Sequence, residues 1–369
     1  MYINYKNCLT NLSNSVLKHF NVSTYHNTLD KLDKILDENN SKNVVVLLFD
    51  GLGVRVIDKL LGKENILNDN KKFEIDSVFP TTTAAATTTV MSGLNPNEHG
   101  WIGWNVYLKE IDKTVTLFLN EEKNTKDKFD YPVAKTLLGY KSVVKRINEE
   151  SKYDAYYISP FGSIKYELDE NDTKKTLDDM VNVIKEYTNK DGKKYLYVYN
   201  DQPDATLHDY GFGSKEADEV INNIVYAVKR LQDELEDTTL IITADHGHLQ
   251  SERIDLLADK KLCDLLSQTT SVDSRCVSFF VKEGLEEEFK KEFEKYLDDF
   301  DLLTKKEVLE NNLFGVGPDN KHFNGALGNY LAVAKTNKYF DDQGLDFKSH
   351  HAGVTEDEIK VPVIVITKK

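Results

Sequence analysis

The amino-acid sequence predicts an α/β protein with a mostly parallel central sheet flanked by helices. Short apolar runs alternate along the chain with segments whose apolar residues recur at helical spacing, and this alternation is typical of parallel sheets. Val44–Phe49 is the clearest run, and an uninterrupted apolar stretch of this length indicates a strand buried on both faces. Similar runs lie at Tyr195–Tyr199, Thr239–Thr243, Val277–Val281, Tyr330–Ala334 and Val361–Ile366.

Amphipathic stripes predict helices between these strands. A short stripe contains Leu29, Leu32, Ile35 and Leu36. A longer stripe, with apolar residues three and four apart, runs from Ala217 to Leu235. We therefore expect helices on the faces of the sheet.

Two stretches interrupt the alternation of strands and helices. Residues 109–194 are polar and rich in Lys, Asp and Tyr, and residues 285–329 begin with a predicted acidic and basic helix from Leu285 to Phe300. We expect a single catalytic domain over residues 1–369, in which these stretches are either cap insertions or ordinary surface elements.

The charge balance excludes some classes of partner. The chain has 47 basic and 62 acidic residues, for a formal net charge of −15. Such a surface repels polyanions, so bulk DNA or RNA is not an expected partner. A small phosphorylated substrate remains compatible with this charge, because bound metal cations invert the field locally.

Hydropathy and cysteine content predict a cytoplasmic protein with no membrane partner. No apolar run approaches the ~20 residues that span a bilayer, and residues 1–20 lack the apolar stretch of a signal peptide. Cys8, Cys263 and Cys276 are an odd number of widely spaced cysteines, which suits a reducing compartment. The oligomeric state cannot be inferred from these features.

Polar residues with metal-binding side chains follow or precede several apolar runs. Since ligands bind at the carboxyl ends of strands in open α/β sheets, these positions are candidate ligands. Asp50 follows Phe49, and Asp245, His246 and His248 follow the run at 239–243. The remaining candidates are Asn200, Asp201, Asp204 and His208 after Tyr199, and His350 and His351 before the last run.

Each of these groups also has an ordinary structural interpretation. Asp50 and Gly51 alone are equally compatible with a turn. Asp204 and His208 are four residues apart, so in a helix they share a face and can bind one ion, although a solvated pair has the same spacing. Carboxylate and imidazole together favour zinc among the common metals.

A threonine-rich segment supplies a candidate nucleophile. Pro80 ends an extended segment, and the small residues after Thr83 allow a helix to begin there. A hydroxyl at a helix N-terminus lies where backbone N–H groups favour a phosphate. A threonine alkoxide can attack phosphorus when a metal lowers the pKa of the hydroxyl. The alternative is a buried, threonine-rich helix without a chemical role.

In order along the chain, these segments resemble the type I phosphodiesterase/nucleotide pyrophosphatase branch of the alkaline phosphatase superfamily. The resemblance covers roughly residues 42–105, 195–248 and 350–367, and its five motifs follow one another in the order of the family. The motifs are Asp50-Gly51, Phe79-Pro80-Thr81 with Ser92–Gly100, Asp204-x-x-x-His208, Thr243–Gly247 and His351-Ala352-Gly353.

The resemblance implies an alkaline phosphatase-like fold with two zinc ions, other divalent ions being an alternative. The residues implied for one ion are Asp50, Thr83, Asp245 and His246, and those for the other are Asp204, His208 and His351. Thr83 is the implied nucleophile, with Thr81 and Thr82 as alternatives in the register. Asn105 is implied to bind a phosphate oxygen, although it falls one residue later than in the family. The family commonly has His-Gly where this chain has His351-Ala352-Gly353, so His350 competes with His351 as a ligand.

The implied activity is hydrolysis of phosphodiester or pyrophosphate bonds in small, nucleotide-like substrates through a phospho-threonine intermediate. A phosphomonoesterase or a phosphonate hydrolase on the same metals is an alternative, and a non-catalytic metal-binding module is a third hypothesis. Trp101, Trp104 and Tyr107 are candidates for stacking a base, which favours the diesterase. Further candidates for the pocket are His248, His322, Arg275 and Lys165.

Overall fold

A computed structural model describes residues 2–159, 171–173 and 176–368 of the chain, and Lys165 lies outside these ranges. The helices are α1 (Leu9–His19), α2 (Asp30–Asn39), α3 (Val54–Leu61), α4 (Ile66–Asn70), α5 (Thr83–Ser92), α6 (Pro96–His99), α7 (Val133–Leu138), α8 (Val143–Glu150), α9 (Leu177–Asn189), α10 (Asp204–Tyr210), α11 (Lys215–Glu234), α12 (Lys260–Asp264), α13 (Glu286–Phe293), α14 (Lys305–Glu310), α15 (Phe323–Ala326) and α16 (Glu356–Ile359).

The strands of the described residues form two large sheets and two short pairs. They are β1 (Asn43–Phe49), β2 (Lys71–Asp76), β3 (Asn105–Leu108), β4 (Lys113–Thr116), β5 (Glu121–Glu122), β6 (Asp154–Ser159), β7 (Asn171–Thr173), β8 (Lys194–Asn200), β9 (Thr238–Thr243), β10 (Leu249–Gln250), β11 (Glu252–Asp255), β12 (Ser271–Asp273), β13 (Cys276–Phe279), β14 (Phe300–Thr304), β15 (Tyr330–Ala334), β16 (Lys338–Asp341), β17 (Ser349–His350) and β18 (Lys360–Lys368).

The main sheet is mostly parallel, as the sequence predicts. Its strand order is β2-β18-β9-β1-β8-β6-β7, and β9, β1, β8, β6 and β7 run parallel to their neighbours in that series. Every residue of β1, β8 and β9 is buried, and the continuous apolar run Val44–Phe49 of β1 is the pattern expected of a strand covered on both faces. The carboxyl ends of these three central strands meet at one edge of the sheet.

Three of the six apolar runs form strands of other directions or sheets. β18 lies in the main sheet but pairs antiparallel with both β9 and β2. β13 and β15 belong to a second, antiparallel sheet with the order β14-β15-β13-β12-β3-β4-β5. An apolar run indicates that a strand is buried, but it does not indicate the direction of the strand or the strand with which it pairs.

The second sheet aligns four residues side by side across its strands. Val272 pairs with Asn105, Asn105 with Thr116, and Thr116 with Glu121. Neighbouring strands are about 4.8 Å apart, so this row extends about 14 Å across the sheet. Asn105 therefore belongs to the second sheet, whereas Asp50, Asp204 and Asp245 follow strands of the main sheet.

The helices begin and end close to the predicted positions, with one difference. The two amphipathic stripes correspond to α2 and α11, and α5 begins at Thr83 as expected. All ten residues of α5 are buried. The predicted helix from Leu285 to Phe300 is shorter: α13 ends at Phe293, a single 3-10 turn follows, and Phe300 begins β14.

Both polar stretches supply strands to the large sheets. Residues 109–194 supply β4 and β5 to the second sheet and β6 and β7 to the main sheet. Residues 285–329 supply β14 to the second sheet together with α13, α14 and α15. The assignment of one domain with cap insertions stays a prediction. Across the described ranges, no helix combines the length and apolar character that crossing a membrane requires.

Candidate metal centre

The loops that leave β1, β8 and β9 interlock at the carboxyl edge of the main sheet. The backbone N–H of Asp50 donates to the carbonyl of Asn200 at 2.9 Å, and the N–H of Asp204 donates to the carbonyl of Asp50 at 3.1 Å. Asp245 Oδ1 accepts hydrogen bonds from the N–H of Gly51 at 3.0 Å and from that of His246 at 2.9 Å. These bonds fix three carboxylates from three strands in one small region.

Four side chains form what we call the nucleophile-side cluster: Asp50, Thr83, Asp245 and His246. Thr83 Oγ1 lies 3.4 Å from Asp50 Oδ1 and 3.2 Å from His246 Nε2. His246 Nε2 in turn lies 3.4 Å from Asp50 Oδ1 and 3.3 Å from Asp245 Oδ2. One carboxylate and one imidazole thus lie next to the hydroxyl of the candidate nucleophile, and Asp245 lies beside that imidazole.

The second group, which we call the three-histidine cluster, consists of Asp204, His208, His248 and His351. Their ligand atoms all lie within 4.8 Å of one another. The Nε2 atoms of His208, His248 and His351 lie 3.4, 2.5 and 3.5 Å from the same atom, Asp204 Oδ1. Asp204 and His208 are on one face of α10, as their spacing predicts.

The nucleophile-side cluster contains a buried carboxylate oxygen that is free to bind a cation. Asp245 Oδ2 is fully buried and accepts no hydrogen bond from the described residues. Burial, followed by repulsion from Asp245 and Asp204, raises the pKa of Asp50 well above its usual value. Burial also raises the pKa of Asp245. Because buried carboxylates at this spacing repel one another, a bound divalent cation would stabilise their charged forms.

In the three-histidine cluster the pKa of the carboxylate is lowered instead of raised. Burial acts to raise the pKa of Asp204, but His208 and His248 beside it hold that pKa below its usual value. Burial lowers the pKa of His248 to about 4, so its neutral imidazole predominates at neutral pH. One carboxylate and three imidazoles are a ligand set that suits zinc. The residues therefore fit the metal ions that the sequence predicts.

The N-terminus of α5 is left uncapped beside the candidate nucleophile. Thr82 precedes the helix, but its hydroxyl makes no cap bond and instead donates to Asp273 Oδ2 at 2.6 Å. Among the described residues, none accepts a hydrogen bond from the backbone N–H groups of Thr83, Ala84 or Ala85. Free N–H groups at a helix N-terminus bind anions, so this end of α5 is suited to a phosphoryl group.

A pocket of about 370 Å³ opens beside both clusters. Asn105 lines this pocket, and its Oδ1 accepts a hydrogen bond from Thr116 Oγ1 at 2.8 Å. That bond directs the amide nitrogen of Asn105 away from Thr116 and leaves it available as a donor. Trp104, Leu119, Leu345 and Phe347 supply the apolar wall, and Trp104 stacks on Phe118 with ring planes 13° apart.

The predicted ligands lie together in two adjacent clusters, and the alternative residues His350, Thr81 and Thr82 lie outside both clusters. His350 lines the pocket, but its Nε2 is buried without a hydrogen-bond partner among the described residues, and it belongs to neither cluster. Thr81 Oγ1 donates to the carbonyl of Gly353, so Thr81 and Thr82 both have other partners. This geometry favours His351 and Thr83, whose roles stay predictions.

Several secondary candidates lie away from the pocket. Trp101 packs edge-on against Phe118, and Tyr107 packs against Phe280, so neither ring belongs to the lining. Arg275 is fully buried and pairs with Glu358 at 2.7 Å. His322 pairs with Glu110.

Two residues of the site carry little or no signal in the sequence. His248 lies in the three-histidine cluster, and its only sequence signal is the alternation in His246-Gly247-His248. Asp273 ends a strand of the second sheet and lines the pocket beside Thr82. No sequence motif of the predicted site extends to Asp273, because the second sheet brings it there.

Comparisons with known proteins give one family and a set of similar structures. The model of the type I phosphodiesterase / nucleotide pyrophosphatase family matches residues 44–343. A comparison with curated protein sequences gave no match. Murine ectonucleotide pyrophosphatase / phosphodiesterase 5 is similar in structure, with a TM-score of 0.65, 18% identity, and 87% of each chain covered. Its inactive form in complex with AMP gives the same values.

A second similar structure carries a different enzyme name. It is phosphonoacetate hydrolase from Sinorhizobium meliloti 1021 in complex with phosphonoacetate, with a TM-score of 0.65 and 14% identity. The alignment covers 88% of this chain and 90% of that chain. At these identities the likeness of both structures concerns the fold.

Proposed function

Because this chain belongs to the type I phosphodiesterase / nucleotide pyrophosphatase family, within the alkaline phosphatase superfamily, we propose that it cleaves phosphodiester or pyrophosphate bonds in small, nucleotide-like substrates. Membership of the family confirms the resemblance seen in the sequence, and the similar structures confirm the predicted α/β fold. The chain is accordingly a hydrolase of the phosphodiesterase, pyrophosphatase or phosphonate hydrolase type.

One arrangement carries the proposal: the hydroxyl of Thr83 at the uncapped start of a buried helix, against a carboxylate and an imidazole. Thr83 Oγ1 is within 3.4 Å of Asp50 and 3.2 Å of His246. A hydroxyl placed there is close both to groups that favour its deprotonation and to N–H groups that bind a phosphoryl oxygen. Such a combination supports a threonine nucleophile.

We further propose that two divalent cations, zinc by the chemistry of the ligands, occupy the two clusters. Asp50, Thr83, Asp245 and His246 would hold one of them. Asp204, His208 and His351 would hold the other. When bound, two such ions activate the nucleophile and neutralise charge on the phosphoryl group and the leaving oxygen.

The side chains and backbone of the site have separate roles in the reaction. Thr83 Oγ1 gives its proton to water in the pocket and attacks phosphorus in line with the leaving oxygen, whose bond to phosphorus breaks as the new bond forms. The leaving oxygen takes up a proton from water, and a phospho-threonine remains. Water then attacks the same phosphorus from the side opposite Thr83, the bond between phosphorus and Thr83 Oγ1 breaks, and Oγ1 takes up a proton from that water. The amide of Asn105 and the free N–H groups of α5 hold the non-bridging oxygens throughout.

The pocket supports a substrate with a planar group beside the phosphate. Trp104 and Phe347 are on its wall, and aromatic side chains favour stacking on a base. Apart from the predicted ligands, its ionisable side chains are Glu121, Lys126, Asp273 and His350, so Lys126 is the one permanent cation among them. A monoesterase for dianionic substrates would need more cationic donors. The AMP complex of the similar murine structure agrees with a nucleotide-like substrate.

A substrate panel tests this proposal. Purified protein with added zinc is assayed with a chromogenic phosphodiester, a chromogenic monoester, a dinucleotide and phosphonoacetate. We expect the diester and the dinucleotide to be cleaved, and Thr83→Ala protein prepared in parallel to cleave neither. Turnover of phosphonoacetate or of the monoester alone would contradict the proposal and favour the corresponding alternative.

A further inference from the structure

The imidazoles of the three-histidine cluster are oriented by acceptors outside it. His208 Nδ1 lies 2.9 Å from the carbonyl oxygen of Ser349, and His351 Nδ1 lies 3.0 Å from that of Thr81. A carbonyl only accepts, so both Nδ1 atoms carry a hydrogen and donate. In the neutral rings, each Nε2 therefore presents a lone pair, and both lone pairs lie near Asp204 Oδ1.

His248 has the same orientation, although its partner is a hydroxyl. Its Nδ1 lies 2.8 Å from Ser349 Oγ, and Ser349 Oγ donates its one hydrogen to the carbonyl of Leu249 at 2.9 Å. The hydroxyl can then only accept from His248, so His248 Nδ1 carries the hydrogen. Its Nε2 faces Asp204 Oδ1 at 2.5 Å. Two acceptor atoms this close need a proton or a metal cation to link them.

The backbone opposite His248 is shaped to admit its ring. Gly51 has a φ of 71°, and a Cβ at this position would lie 2.9 Å from His248 Cδ2 and 3.1 Å from Asp204 Cβ. A side chain at residue 51 would therefore push His248 away from Asp204. The ring of His248 also lies edge-on to those of His208 and His351, with centroids 4.8 and 5.1 Å apart.

We propose that His248 Nε2 is a fourth ligand of the cation held by Asp204, His208 and His351. The proposal rests on the metal centre of the proposed function and extends it by a residue that the family pattern does not supply. With His248 the cation would have one carboxylate and three imidazole ligands, a set that suits zinc, and substrate would bind as a fifth ligand, which catalytic zinc accommodates.

Cobalt-substituted protein provides a direct count of the ligands. In proton NMR of the Co²⁺ protein, the exchangeable Nδ1–H of an imidazole bound through Nε2 is strongly shifted by the paramagnetic ion. We expect four such signals from the wild type, for His208, His246, His248 and His351, and three from His248→Gln. His322→Gln is the matched control, because His322 is buried but pairs with Glu110 outside both clusters, and it should retain all four signals.

The number of shifted signals also distinguishes the ways in which the assignment of His248 can be wrong. Three signals in the wild type, unchanged by His248→Gln, would show that His248 only hydrogen-bonds to Asp204 and would overturn the assignment. Absence of every shifted signal would overturn the metal centre of the proposed function together with the assignment. Should His248→Gln fail to fold by circular dichroism, His248→Asn replaces it, and the wild-type count decides by itself.

Discussion

The imidazole rings of His246 and His351 stack face to face, with their centroids 3.7 Å apart and their planes inclined by 19°. His246 belongs to the nucleophile-side cluster and His351 to the three-histidine cluster. Each ring directs its Nε2 to the carboxylate of its own cluster, at 3.4 Å from Asp50 Oδ1 and 3.5 Å from Asp204 Oδ1. The stack therefore places the two candidate cation sites side by side.

Two adjacent ligand clusters predict two bound ions. Purified protein reconstituted with zinc should contain about two equivalents of metal per chain. Removing the metal with a chelator should abolish hydrolysis, and adding zinc back should restore it. Metal analysis together with the assay checks this. No bound transition metal after reconstitution, with activity independent of metal, would contradict the two-ion centre.

Substitution of one ligand in each cluster should weaken metal binding. Asp245→Asn removes a charge from the nucleophile-side cluster, and His208→Ala removes an imidazole from the other. Each should lower activity at limiting zinc by about 100-fold or more, because the ligands set the affinity for the ion.

A neighbouring pair of histidines supplies the control for this experiment. His351→Gln should behave like His208→Ala, whereas His350→Gln should cost much less, because His350 belongs to neither cluster. Metal content and rate are measured for each variant. Near-wild-type rates for Asp245→Asn and His208→Ala at limiting zinc, or a greater loss in His350→Gln than in His351→Gln, would show that the ligands are wrongly assigned.

Thr83 should be indispensable for turnover but not for folding. Thr83→Ala removes the attacking oxygen and should abolish hydrolysis of a chromogenic phosphodiester at saturating zinc, while Thr83→Ser should retain part of the activity. Thr81→Ala and Thr82→Ala should have much smaller effects, since their hydroxyls bond to Gly353 and Asp273. An inactive Thr82→Ala with an active Thr83→Ala would move the nucleophile by one residue. Activity in all three alanine variants would indicate that water attacks directly.

Asp273 should affect the rate through Thr82. Asp273→Ala frees the hydroxyl of Thr82 to cap α5, where it would compete with the substrate for the free N–H groups. A cap is worth about 1 kcal/mol, so kcat/KM should fall by about fivefold without loss of thermal stability. Asp273→Asn keeps an acceptor for Thr82 and should stay near the wild type. Equal losses in both variants would show that the charge of Asp273 matters instead of its hydrogen bond.

The buried pair of Arg275 and Glu358 should stabilise the loop that carries His351. Glu358 accepts hydrogen bonds from the N–H groups of Gly353 and Thr355 as well as from Arg275. Glu358→Gln should lower the free energy of unfolding at pH 7 by about 3 kcal/mol, because it leaves the charge of Arg275 buried and unpaired. Glu310→Gln, in the exposed pair with Lys306, is the control and should have little effect.

The same pair gives a pH dependence of defined sign. Burial acts to raise the pKa of Glu358, but Arg275 beside it holds that pKa below its usual value. The stability that the carboxylate contributes is therefore present above the unfolded pKa of about 4.3 and is lost as the pH falls through the lower folded pKa. Urea unfolding should show the difference between wild type and Glu358→Gln shrinking in acid. A difference that grows in acid would contradict this account.

The sequence by itself determined the central strands of the main sheet and the candidate ligands that follow them. Asp50, Asp204 and Asp245 each follow a buried apolar run, and parallel strands end at a common edge, so their meeting there was predictable. The four-residue spacing of Asp204 and His208 likewise defined one face of a helix whatever its surroundings. These inferences depend on local geometry, which repeats with the period of the strand or helix.

Only the tertiary structure decided between neighbours and between sheets. His350 and His351 are adjacent in the sequence, and their orientations depend on a loop held by Glu358 from the following helix, which no local period defines. Asn105 and Asp273 reach the pocket from the second sheet, and His248 reaches Asp204 because Gly51 leaves room for its ring. Such contacts join residues far apart in the chain. Their geometry is set by packing, which depends on all the elements at once and not on any one segment.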